Sequence, residues 1–178
     1  MSEANIILTT FRFDVQLQFG TAAAGSSRPP RTDTGDVRLG FQEVSGLELE
    51  MDAPELVEGG RNDGVIRRAG RVKSPTLVLK RGMFVEERTS TACLDFWIWI
   101  QGVMNGELPV RRCDGSVSLK ANGKDGRTPT PMCVWVFERG LPLKVKGPDL
   151  NAKTGEIAIE ELHIAHQGLR MNIGGPAT

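Results

Sequence analysis

The chain has 178 residues with 22 basic and 22 acidic side chains, so its formal net charge at neutral pH is zero. That length suits one domain with a substantial core; the charge balance argues against a protein whose main work is gripping nucleic acid and removes one brake on self-association. Tyrosine is absent, and 21 glycines and 10 prolines punctuate the whole length, which favours many short strands joined by turns over a helical bundle.

The opening MSEANIILTT has neither the basic stretch nor the apolar run of a secretory signal. Residues 11–19 alternate without a break: Phe11, Phe13, Val15, Leu17 and Phe19 are apolar, with Arg12, Asp14, Gln16 and Gln18 between them. Period two predicts a strand with one covered face. Residues 20–36, GTAAAGSSRPPRTDTGD, are small, polar and rich in Gly, Pro and Ser, the composition of a flexible hairpin loop. A second strand is expected over 39–51, with Leu47, Leu49 and Met51 on one face and Glu48, Glu50 and Asp52 on the other. Three acids in a row cannot sit unpaired in a core, so that face meets solvent, a lumen or a basic partner.

Residues 53–74 begin acidic, with Glu55 and Glu58, and end basic, with Arg61, Arg67, Arg68, Arg71 and Lys73. Few apolar residues interrupt them. A segment this long reads as an extended functional arm or a solvated loop. The third strand is predicted at 76–81, leaving through Gly82. The one good helix is predicted at 90–105, with Ala92, Cys93, Phe96, Trp97, Ile100, Val103 and Met104 in one stripe. Thr89, Ser90 and Thr91 offer N-caps and Gly106 fits just past the end. Phe96, Trp97 and Ile100 are the expected core of that helix, since such a stripe packs a core far more often than it holds a cofactor.

Four strands are expected in the remainder: 110–121, followed by a turn at NGKDG; 132–137; one through Leu141, Leu143 and Val145; and 156–171. In the last, the apolar phase of Ile157 and Ile159 slips by one to Leu162 and Ile164, which predicts a β-bulge at Glu160 and Glu161.

Catalytic and metal chemistry find little support. His163 and His166 are the only histidines, and three apart on a strand they face opposite ways. Cys93, Cys113 and Cys133 are an odd number without metal-site spacing, and read as reduced thiols of a cytosolic product. EGGRNDG and NGKDGRT lack the order of a phosphate-binding loop, and the basic run at 61–73 lacks the aromatics that stack on bases. CLDFWIWIQGVM is too short to span a bilayer and carries Asp95. No enzyme, no cofactor, no membrane segment and no sequence-specific nucleic-acid binding is expected.

Four blocks in order carry a resemblance: FQEVSGLELE leading to EGG, the strand TLVLKRG, the Trp-containing helix DFWIWIQ, and PLKVKGPDLNAKTGEIAIEELHIAHQGL. Together they resemble the tail tube proteins of contractile phages and phage-tail-like injection systems, over residues 8–172. The resemblance implies a mainly β fold, a small antiparallel β-barrel or two packed sheets with one flanking α-helix, formed as a single domain over 1–178. It implies hexameric rings stacked into a hollow tube inside a sheath. The partners would be further copies, a sheath protein, baseplate and spike proteins, and a cargo if the lumen carries one. Assembly would take place in the bacterial cytoplasm, within a tail or injection particle that is released or fired. Glu48, Glu50, Glu55, Glu58, Arg61, Arg67, Arg68 and Lys73 are the expected subunit or ring-stacking contacts. The insertion at 20–36 departs from the tighter turn of many relatives. A tube initiator next to the baseplate and the type VI secretion tube protein are alternatives of the same kind, and a monomeric β-barrel binding module is the rival of another class.

Overall fold

The computed structural model describes residues 8–19, 37–56, 64–83, 92–122, 129–153 and 155–173. The loop at 20–36, the caps at 89–91, Glu58 and Arg61 lie outside them. The strands are β1 (Phe13–Phe19), β2 (Val37–Leu39), β3 (Glu43–Ser45), β4 (Glu50–Met51), β5 (Glu55–Leu56), β6 (Ile66–Arg67), β7 (Val72–Lys73), β8 (Leu77–Gly82), β9 (Cys113–Asn122), β10 (Pro129–Lys146), β11 (Ile159–Ala165) and β12 (Gly168–Ile173), with one helix, α1 (Ala92–Met104).

Every pairing among the described residues is antiparallel, and β10 organises them. Its N-terminal half lies between β9 and β12 in a first sheet that continues through β1 to β2. Its C-terminal half pairs with β11 and opens a second sheet that runs through β8 to β3. The two strands expected at 132–137 and 141–145 are therefore one long strand. It turns between the sheets at a bulge between Phe137 and Gly140, where Arg139 holds a φ of 54°. Bulges are the usual means by which a strand changes sheet.

The core lies between the sheets and under the helix. Val15 and Leu17 come from β1, Leu77 and Leu79 from β8, Val117 from β9, Phe137 from β10, and Leu162 and Ile164 from β11. Each is an alternate residue of its strand, so the period-two pattern sets the inward face. The helix adds Phe96 and Trp99, which are 1% and 3% exposed. Phe96 stacks on Phe41 with centroids 6.3 Å apart, and Trp99 meets Phe19 edge-on at 5.0 Å. The Trp99 indole donates to the carbonyl of Arg111 at 2.8 Å, giving a buried ring its partner. The covered side of α1 is thus centred on Phe96 and Trp99. Trp97 and Ile100 are only half-buried, and Val103 and Met104 are exposed. Trp97 instead lays its ring edge beside Gly147, beyond the end of β10. The helix ends as expected at Gly106, with φ 76° and paired bonds from Gly106 N to Val103 O and from Glu107 N to Gly102 O.

There is no bulge at Glu160. Glu160, Leu162 and Ile164 occupy one unbroken inward face of β11. Glu160 accepts a hydrogen bond from the Nε of Arg81 on the paired strand, and both side chains are fully buried. The Arg81 guanidinium also lies 3.9 Å from the centroid of the Phe96 ring. A charged residue at an inward position imitates a change of phase, and its partner is 79 residues away.

Candidate assembly interface

The strand expected at 39–51 is interrupted, and the interruption builds the arm. β3 pairs with β8 with Ser45 opposite Val78, and β4 pairs with β7 with Glu50 opposite Lys73. Both pairings share one register, so the arm is the edge hairpin of the second sheet carried out beyond the body. Gly46 allows the departure: its φ is 86°, and a Cβ there would stand 2.3 Å from the Thr76 carbonyl oxygen. Hydrogen bonds from Asp52 N to Arg71 O, Gly70 N to Asp52 O and Arg68 N to Pro54 O carry the ribbon on to β5 and β6. The register moves by one residue on the way, as Glu55 faces Arg67 and Leu56 faces Ile66.

Opposite charges line up across this ribbon. Arg67 pairs with Glu55 at 3.1 Å and Lys73 with Asp52 at 2.9 Å. The hydrogen bond to Asp52 raises the pKa of Lys73, so that ammonium stays charged. Arg67, Glu55 and Lys73 therefore meet partners inside their own arm. Among the described residues, Glu48 and Arg68 have no ion-pair partner. Glu50 lies beside Lys73 without a bond to it. Exposed pairs of this kind contribute about 0–1 kcal/mol each, so they set the register of the ribbon more than they stabilise it.

Of the apolar side chains of the arm, Leu49 and Met51 follow the alternation expected of a strand, whereas Leu56, Val65 and Val72 recur at no regular spacing. Leu49, Met51, Leu56, Val65 and Val72 are 40–56% exposed. An isolated two-stranded hairpin is marginal in water, and clustered exposed apolar side chains mark contact surfaces.

The sheet edges are the second feature. In the second sheet, β3 forms one edge and the C-terminal half of β10 the other, and no described strand covers either on its outer side. β3 runs toward the root of the arm and β10 runs away from that end. Two copies set side by side would therefore bring these edges together antiparallel.

The remaining candidates are quiet chemically. His163 approaches Glu161 at 3.4 Å, while His166 shares a hydrogen bond with the Gly168 carbonyl and packs on Phe137. Burial lowers the pKa of His166. Burial also pushes the Cys113 thiol up to about 12. Among the described residues, no three His, Cys, Asp or Glu side chains cluster as a metal ligand set would, and no helix is long and apolar enough to cross a membrane.

A profile of the T4-like virus tail tube protein gp19 family matches residues 9–170. No curated protein sequence matches the chain. Among solved structures, a chain of the anti-feeding prophage baseplate, resolved with 6-fold symmetry imposed, is 23% identical, with 97% of each chain covered and a TM-score of 0.69. A chain of the sheath–tube complex of an extracellular contractile injection system, PVC, is 21% identical over 94% of this chain and 93% of that one, with a TM-score of 0.67. A type six secretion system protein is 10% identical over 90% of this chain and 83% of that one, at 0.52. These likenesses are of fold.

Proposed function

The chain belongs to the T4-like virus tail tube protein family, whose role is structural, and on that premise we propose that six copies close into a ring and that rings stack into the hollow inner tube of a contractile injection particle. The observation that carries this reading is the ribbon arm, exposed on both faces and continuous with an open sheet edge. An open edge is an aggregation hazard unless something covers it. Rotation about a ring axis sets the β3 edge of each copy against the β10 edge of the next, and closure leaves the second sheet without a free edge. Such head-to-tail contacts close when the rotation does.

In this reading the chain has no catalytic task. Its partners are further copies of itself, the sheath around it, and the baseplate and spike from which it grows. The sheath–tube and baseplate structures that share its fold support that placement. The particle is put together in the bacterial cytoplasm and acts outside the cell.

Glu48, Glu50, Glu55, Arg67, Arg68 and Lys73 then act as one charged surface that meets other copies, together with Glu58 and Arg61 of the same segment. A ring repeats each contact six times, so small losses multiply along one stacking interface. Reversing Arg67 and Arg68 together to Glu should leave a folded protein that no longer grows long tubes. Sedimentation and electron microscopy report both properties. Tubes of normal length from this variant at ordinary salt would remove the arm from the stacking contact.

A further inference from the structure

Four arginines from three separate elements flank the stretch of β10 that turns between the sheets. Arg111 and Arg112 immediately precede β9, Arg139 sits on the bulge, and Arg170 lies on β12. The site is rigidly built. The Arg139 amide donates to Asp114 Oδ1 at 2.6 Å, and its carbonyl accepts from Arg112 Nη1 at 3.1 Å. Trp99 holds the carbonyl of Arg111 at 2.8 Å, and the Arg111 guanidinium lies 5.3 Å from the Phe19 ring centroid. Arg170 approaches Glu138 at 3.9 Å. Asp114 and Glu138 are the carboxylates bonded to or beside Arg139 and Arg170, and Arg111, Arg139 and Arg170 are exposed.

Its place in the sheet suggests what it meets. Gly140, next to Arg139, lies against Ile164, which pairs with Leu77 at the start of β8. Leu77 is also beside Gly46, where the arm departs. The basic corner and the root of the arm therefore share one end of the second sheet. They lie at opposite edges of it, three strand spacings or about 14 Å apart. A rotation about a ring axis parallel to the strands of the second sheet keeps both at the same height. It carries the arm root of one copy past the basic corner of its neighbour.

We propose that this corner, through Arg112, Arg139 and Arg170, is the seat for the acidic base of the neighbouring copy's arm, through Glu48 and Glu50. The proposal rests on the ring-forming reading above and names the surface that receives the arm within a ring. Charge complementarity supports it: Glu48 has no ion-pair partner among the described residues, Glu50 makes no bond to the Lys73 opposite, and both are exposed. Patches of opposite sign on the two sides of a head-to-tail contact also fix its direction, because like charges face each other if one copy is inverted.

Two double variants test this, Arg139→Glu with Arg170→Glu, and Glu48→Lys with Glu50→Lys. Each alone should raise the protomer concentration needed for ring formation by about tenfold or more, since both place like charges in contact. Circular dichroism checks that each remains folded. Mixed in equal amounts, the two should assemble again, because every basic arm then finds an acidic corner and a six-membered ring accepts alternation. Native mass spectrometry would read rings with three copies of each. Rings from wild-type protein together with unimpaired rings from either variant would overturn the seat and leave the ring-forming reading standing. So would two folded variants that fail to assemble when mixed, which would assign the corner to another partner. Absence of rings from wild-type protein would instead refute the reading beneath it.

Discussion

Replacing Glu160 by Ala removes the carboxylate to which Arg81 donates and leaves a guanidinium in a site from which water is excluded. Both side chains are fully buried. Removing one partner of such a pair costs about 3–5 kcal/mol, because the other charge stays desolvated. For a domain of this length each kcal/mol lowers the melting temperature by about 2–4 °C, so a fall of roughly 6–20 °C is expected. Replacing the pair together, Arg81→Met with Glu160→Leu, should recover most of the loss. The double variant forfeits the guanidinium's contact with Phe96, a term of about 0.5–2 kcal/mol. Urea unfolding of unassembled protein, read as a double-mutant cycle, measures the coupling directly. Low protein concentration matters, since association raises apparent stability by mass action. A cost below about 1 kcal/mol for Glu160→Ala would show that water reaches the pair, and would refute the reasoning.

Trp99→Ala should cost about 3–5 kcal/mol, as for a buried aromatic residue, and Trp97→Ala clearly less, since Trp97 is only half-buried; denaturant midpoints rank the two, and the reverse order would relocate the covered face of the helix. Cys113, fully buried with its thiol pKa near 12, should resist alkylation in the folded protein at pH 8 and react in urea, as peptide mass spectrometry would register. His166 has its pKa lowered by burial, so folding favours its neutral form. Its contribution to stability is complete above the unfolded pKa of about 6.5 and is lost as pH falls from there through the folded value. His166→Gln should flatten that part of the stability–pH curve, and an unchanged slope would assign it to other groups.

The strands that read most clearly in the sequence are those whose two faces differ in chemistry. β1 alternates apolar and polar residues and appears close to where alternation places it. β11 alternates just as strictly, but a glutamate on its inward face imitates a bulge, because one strand's pattern cannot reveal an arginine that neutralises it from another strand. The long β10 resembles two strands because Arg139 and Gly140 interrupt its apolar run at the point where it changes sheet. On the helix, the stripe of Phe96, Trp97 and Ile100 is about one position off. Hydrophobicity alone does not separate Trp97 from Trp99, and the edge contact with Phe19 and the bond to Arg111 select Trp99.

The proposed assembly surfaces were legible in part. The acidic beginning and basic end of the arm are plain in the sequence, but they pair with each other across a hairpin, as Glu55 does with Arg67, because the chain doubles back on itself. The basic corner left no local signal. Its arginines are separated by up to 59 positions, from 111 to 170, and the pairing of β9 and β12 with β10 sets them along its two sides.

The central claim is that copies of this chain build a tube, and electron microscopy of the purified protein across a range of concentrations tests it most directly. The account predicts six-fold rings seen end-on and striated hollow tubes seen from the side, with density from each arm crossing onto another copy. Separate monomers at every concentration and salt, with the fold intact, would contradict it.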